Sequence, residues 1–263
     1  KSFLSALAGI AIEEGAIGGP GDSVLVYFPE YVYEGMESRK NGITVRHLLT
    51  MRMGIGDEDE TFERVIYSGN WIREIVRLPL VDDPGARFRY NTLQTHLLSG
   101  VLTKGAGESL LDFANGYLFG PMNISVAEWT RDPQGYCFGG GEMWFTPRNM
   151  AALGLLYLNG GSLGGEQIVP AAWVDSSLAP SWSGDVPGTG PLKNYNYGFL
   201  WWLGELGGHE IFMALGYAGQ TVIVFPALEM IVVTTARTDT PAGADQETAI
   251  LGIVADDIIA AVR

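Results

Sequence analysis

The sequence predicts an α+β fold in which a helical body comes first and a small antiparallel sheet, closed by a last helix, follows. Up to about residue 195, apolar residues recur at spacings of three and four in blocks punctuated by Gly and Pro. Beyond it, short β-branched and aromatic runs are separated by Gly and Pro, the pattern of a meander. With 263 residues, 47% apolar and only 17% charged, the chain can bury a substantial core and is not a disordered segment. Its 36 glycines imply many tight connections and argue against a plain bundle. We expect a single domain over 1–263, with a helical region at about 20–195 and the sheet and last helix at about 196–263.

Phe3, Leu4, Leu7, Ala8, Ile10 and Ala11 form the first helical stripe, stopped by Gly15 and Gly18-Gly19-Pro20. This stripe opens at Lys1 without a capping residue or an initiator Met, so further residues are expected upstream. Thr44 is the expected cap of a helix through Val45, Leu48 and Leu49, with Gly54 as its stop. Two short helices follow between about 61 and 78, burying Val65, Ile66, Trp71, Ile75 and Val76. Asp82-Asp83-Pro84-Gly85 reads as a turn leading to Tyr90, and a helix runs from about Leu93 to Lys104. Ser109 caps another, ending at Gly120-Pro121; Thr146-Pro147 caps a leucine-rich one, and Pro170 opens one containing Trp173. The strand runs are Tyr197 to Trp202, Ile211 to Leu215, Thr221 to Phe225 and Met230 to Thr235, and Thr248 to Val262 returns to helical spacing.

A net charge of −14 repels phosphate backbones and anionic lipid, so neither nucleic acid nor a membrane surface is an expected partner. No apolar run approaches the roughly 20 residues of a spanning helix. A single cysteine, Cys137, excludes an internal disulfide framework and reads as a small buried hydrophobe. His47, His96 and His209 lack metal-ligand spacing, so no metal or cofactor is expected. His47 and His96, beside leucine pairs, read as hydrogen-bonded packing residues, whereas His209 sits where it could border a pocket. Gly160-Gly161-Ser162-Leu163-Gly164 fits the Gly-x-Ser-x-Gly pattern of a nucleophile elbow, but a helix rather than a strand leads into it. It reads as a glycine-rich connection.

Tyr90 stands at the end of an extended segment, immediately before a helix. There the positive end of the helix dipole favours a phenolate, and with a lysine nearby its oxygen could relay protons between a serine and a leaving group. The plain alternative is a tyrosine that packs its ring and bonds a backbone carbonyl.

Several segments together resemble the serine β-lactamase-like hydrolases, which include class C β-lactamases, D-Ala-D-Ala peptidases, family VIII esterases and nylon-oligomer hydrolases. They are Ile43 to Met51 with Gly54, Pro84 to Gly100, Thr146 to Ala151, Gly164 to Trp173, and Ala214-Leu215-Gly216-Tyr217-Ala218-Gly219-Gln220 with Pro226. They occur in the family's order across nearly the whole chain. The resemblance implies a β-lactamase/transpeptidase-like α+β fold, an antiparallel sheet flanked by helices plus a mostly helical region. In that family two strands and a helix precede a Ser-x-x-Lys motif, so the sheet here is expected to be incomplete.

No Ser-x-x-Lys occurs in this chain, but Lys1 to Leu7 resembles the stretch that begins with that motif's lysine. By resemblance Lys1 is the catalytic lysine, the nucleophilic serine lies three residues upstream, and Tyr90 is the catalytic tyrosine. Gly216 and Tyr217 form the oxyanion edge, with the Tyr217 backbone N–H as second donor. Thr92 takes the place of a substrate-binding asparagine, and Ala214 that of a cation that holds the substrate carboxylate. The first change implies that amides are held less well than esters, and the second favours small esters or non-lactam amides over β-lactams. The expectation is therefore a serine hydrolase working through an acyl-enzyme on a small-molecule substrate. A non-catalytic binding or scaffold protein on the same fold is the alternative. Compartment and oligomeric state are not legible in the sequence.

Overall fold

The spacing of Leu4, Leu7, Ala8 and Ala11 brings all four to one side of helix α1 (Ser2–Glu13), where each is fully buried. Gly15, at φ 69°, follows the helix end. The computed structural model describes residues 1–183, 190–239 and 243–262. They form two compact units, one of Lys1 with Phe3–Trp144 and one of Ser2 with Phe145–Arg263.

In the first unit, α2 (Val45–Leu49) starts in a capping box, with the Thr44 N–H donating to His47 Nδ1 at 3.1 Å. It stops well before the expected Gly54 because Met51 adopts φ 56°. Helices α3 (Glu58–Ile66) and α4 (Trp71–Arg77) are the expected short pair, the second capped by Asn70. Helix α5 (Thr92–Ala106) is the centre of this unit, buried from Thr92 to Leu102. It runs past Gly105 and ends at Gly107, φ 71°, since Gly105 supplies close approach rather than a stop: a Cβ there would meet Ile17 Cγ2 at 2.5 Å. Helix α6 (Leu110–Ala114), capped by Ser109, widens into a π turn over Asn115–Phe119.

The second unit opens with α7 (Pro147–Leu158), where Thr146 Oγ1 accepts the Asn149 N–H at 3.2 Å as the Thr-Pro signal predicts. Strands β1 (Ser162–Leu163) and β2 (Glu166–Gln167) make a hairpin turning at Gly164 and Gly165, both at positive φ. The Gly-x-Ser-x-Gly match is thus a hairpin, with Ser162 Oγ spent on Gln167 Oε1 at 2.7 Å. After α8 (Ala171–Ser177) come β3 (Trp182–Ser183), β4 (Lys193–Tyr197), β5 (Trp202–Leu206), β6 (His209–Gly216), β7 (Gln220–Phe225) and β8 (Met230–Thr234), antiparallel neighbours in chain order.

The expected single strand from Tyr197 to Trp202 is instead two strands and a tight corner. Gly198 passes so close to the end of α8 that a Cβ would lie 2.0 Å from the Ser177 carbonyl oxygen, and Leu200 turns the chain at φ 59°. Strands β3 and most of β4 carry too few β-branched residues to show in the sequence. Helix α9 (Gly243–Ile253) begins five residues ahead of the expected Thr248, then passes through a π turn (Val254–Ile258) into α10 (Ile259–Ala261).

Alternation along β7 buries both faces of the sheet. Ile223 and Phe225 pack with Met213, Leu251, Val254 and Ile259 on one face. On the other, Val222 and Val224 meet α7 at Gly154, where a Cβ would approach Val222 Cγ1 to 2.9 Å. Among the described residues no helix is long and apolar enough to cross a membrane.

Candidate active site

Tyr90 is held by its neighbours on both sides. Before it, Arg89 donates to Asp82 Oδ2 at 2.7 Å and to Asp57 Oδ1 at 2.9 Å, while its backbone N–H bonds the Met51 carbonyl at 2.9 Å. After it, the fully buried Asn91 caps α5 by accepting the Leu93 N–H. The Asn91 Nδ2 donates to the Gly56 carbonyl at 3.0 Å and to Thr61 Oγ1 at 2.9 Å. Gln94 reaches back one turn, donating to the Arg89 carbonyl at 2.7 Å and accepting the Met53 N–H at 2.8 Å. The tyrosine therefore leaves an extended segment whose path is fixed by the side chains of Arg89, Asn91 and Gln94.

The structure brings Lys1 to this tyrosine. Lys1, the N-cap residue of α1, donates from Nζ to the Gly140 carbonyl at 2.8 Å, and the same nitrogen stands 5.0 Å from the Tyr90 ring centre. A cation at that range over an aromatic face is attracted by the ring quadrupole. Thr92 lies in the first turn of α5, largely buried, with its N–H donating to Glu58 Oε2 at 3.3 Å. A Cβ on Gly140 would sit 2.0 Å from Thr92 Cγ2. Only glycine lets the carbonyl that receives Lys1 come so close to α5. In the sequence, nothing but the Gly139-Gly140-Gly141 run marks Gly140.

In the C-terminal unit, Gly216 ends β6 paired with Gln220. Tyr217 follows, 60% exposed, and Ala218 turns the chain at φ 62°. Helix α9 clamps this turn at both ends of one residue: Glu247 Oε1 accepts the Ala218 N–H, and Gln246 Nε2 donates to the Ala218 carbonyl, each at 2.7 Å. Burial pushes the Glu247 carboxyl above its usual range. Ala214 lies on β6 opposite Val222. His209 begins β6 opposite Leu206, its ring 6.5 Å from Phe225. The other two histidines take hydrogen-bonded structural places, His47 in the α2 cap and His96 beside Asp132 at 3.1 Å. Cys137 is buried, which raises its thiol.

Known proteins add an independent line. The family model described as Beta-lactamase matches residues 1–256. A 6-aminohexanoate-dimer hydrolase of Paenarthrobacter ureafaciens is 25% identical over 257 residues, covering 89% of this chain and 63% of the relative. The chain thus spans under two thirds of that relative's length. Among solved structures, a protein provisionally named a 6-aminohexanoate-dimer hydrolase from Bacillus anthracis superposes with a TM-score of 0.75 at 20% identity, covering 95% of this chain and 69% of that one. EstCE1, a hydrolase with promiscuous acyltransferase activity, gives 0.71 at 19% identity, with 95% and 82% covered. At those identities the structures speak for the fold, which is the β-lactamase/transpeptidase-like one expected from the sequence. With its family model running through all but the last few residues, this chain belongs to the Beta-lactamase family.

Proposed function

We propose that the protein is a serine hydrolase that cleaves small esters or amides through an acyl-enzyme, with Lys1 and Tyr90 moving the protons. The observation that carries this reading is the Lys1 nitrogen, fixed by the Gly140 carbonyl at 2.8 Å and held 5.0 Å from the Tyr90 ring centre. A lysine and a tyrosine so placed at the start of two helices can take the proton of a serine hydroxyl and return it to the leaving group. The serine is proposed to lie three residues before Lys1, in the Ser-x-x-Lys order. Tyr217 supplies an oxyanion donor through its backbone N–H, with Gly216 before it leaving the strand edge open to a ligand. The names of the relatives, an oligoamide hydrolase and an acyl-transferring hydrolase, support amide and ester substrates. Thr92 and Ala214, in place of an amide and a cation, support a preference for substrates other than β-lactams.

The test is to sequence the coding region upstream of Lys1, express the full-length protein, and treat it with p-nitrophenyl butyrate. A butyryl adduct found by mass spectrometry on a serine three residues before Lys1 is the expected result. Any other residue at that position, with no adduct formed, refutes the reading in favour of a non-catalytic binding protein on this fold.

A further inference from the structure

His96 and Asp132 are 36 positions apart, yet their side chains meet at 3.1 Å with neither exposed at all. Asp132 Oδ1 accepts two backbone N–H groups, from Gln134 at 2.8 Å and Tyr136 at 2.9 Å, which leaves Oδ2 for His96 Nε2. On its other side, His96 Nδ1 receives the N–H of Gly139 at 3.4 Å. A backbone N–H can only donate, so Nδ1 must present a lone pair, and the ring proton sits on Nε2, pointing at Asp132. Trp71 and Phe138 close over the ring, with centroids at 5.1 and 5.8 Å. The peptide held in this way joins Phe138 to Gly139, with its own carbonyl accepting Trp129 Nε1 at 2.9 Å, and it leads through Gly139 to the Gly140 carbonyl that receives Lys1 Nζ. It has little room to move, since a Cβ at Gly139 would lie 2.0 Å from the Thr95 carbonyl oxygen.

We infer that the His96–Asp132 pair is a positioning device for Lys1: Asp132 sets the histidine tautomer, the histidine fixes the Gly139 amide, and Gly140 thereby aims its carbonyl at the lysine. The inference rests on the role proposed for Lys1. Its decisive variant is Asp132→Asn, which keeps size and shape. The asparagine Oδ1 must still face the Gln134 and Tyr136 donors, so its NH₂ faces His96 Nε2 and forces the proton onto Nδ1. That proton then opposes the Gly139 N–H, the hydrogen bond is lost, and the Phe138–Gly139 peptide shifts by the little its packing allows, enough to turn the Gly140 carbonyl off Lys1.

Three readouts on the full-length protein test this. Imidazole ¹⁵N shifts should show Nε2–H in the parent and Nδ1–H in Asp132→Asn. Lys1, released from Gly140, should react severalfold faster with acetic anhydride in the variant, a measurement that needs no turnover. With p-nitrophenyl butyrate, kcat should fall about 10- to 100-fold with KM little changed, the scale of losing an orienting outer partner. His96→Asn, whose carbonyl can still accept from Gly139, should keep more of kcat than His96→Leu, even where both are less stable. A parent carrying Nδ1–H, or an Asp132→Asn protein with a flipped tautomer but parental Lys1 reactivity, overturns the inference. Failure of butyrylation in the parent counts against the proposed function alone, because the first two readouts are independent of it.

Discussion

Lys1 Nζ stands 5.0 Å from the centre of the Tyr90 ring while hydrogen-bonded to Gly140. The ring and the phenol oxygen have separable roles in this arrangement. Tyr90→Phe keeps the face over which the ammonium sits and removes only the proton-carrying oxygen. We expect kcat for p-nitrophenyl butyrate to fall about 10²- to 10⁴-fold, the usual worth of a positioned acid–base group, with the melting temperature close to the parent's. A parental rate in Tyr90→Phe would remove the tyrosine from the mechanism.

Substrate preference should follow Thr92 and Ala214. Threonine is shorter than asparagine and keeps one hydroxyl in place of an amide, and its methyl is committed to packing against Gly140. The full-length protein should therefore show a higher kcat/KM for a short-chain p-nitrophenyl ester than for a penicillin. A clear preference for the lactam would refute this.

The turn after β6 gives a third test. Tyr217→Phe alters only a 60%-exposed side chain and should leave ester hydrolysis nearly intact if the donor is backbone. Gly216→Val adds a Cβ at 3.1 Å from Gln220 Cβ and should cost about a hundredfold or more in kcat, the scale of one lost oxyanion donor. A folded Gly216→Val protein working at the parent rate would exclude this edge from the reaction.

Asn91 is a stability prediction independent of catalysis. Asn91→Ala removes the cap of α5 and strands the buried acceptors Gly56 O and Thr61 Oγ1. We expect a loss of about 2–4 kcal/mol in urea unfolding, the sum of a cap and one or two unmade buried bonds. A change under about 0.5 kcal/mol would mean that the network is not what holds this helix start.

Glu247 should make stability depend on pH. Its carboxyl is raised in the folded state by burial, partly offset by the Ala218 N–H. The folded protein therefore holds this proton more tightly than the unfolded chain, and the resulting stability is present at low pH and lost as pH rises through the folded value. Glu247→Gln keeps an acceptor for Ala218 and removes the titration. Its stability relative to the parent should rise with pH above the ordinary glutamate range in parallel urea titrations. A difference independent of pH would contradict the assignment.

Local chemistry in the sequence determined much of this protein. The three-and-four spacing in α1, the Thr-Pro start of α7 and the β-branched runs of β6 to β8 act through the nearest turn or rung, so each can be read without knowing the fold. The order of the motifs likewise determined the family and pointed to Lys1 and Tyr90. Tertiary structure decided what depends on meetings at a distance. The corner between β4 and β5 exists because Gly198 must pass the end of α8, and no residue within the 197–202 run announces that. The acceptor for Lys1 is 139 positions away, and the partner of His96 is 36. Such pairings carry no period or spacing; they follow from which backbones pack closely enough around α5, and the glycines at 139 and 140 permit that approach without naming what will be approached.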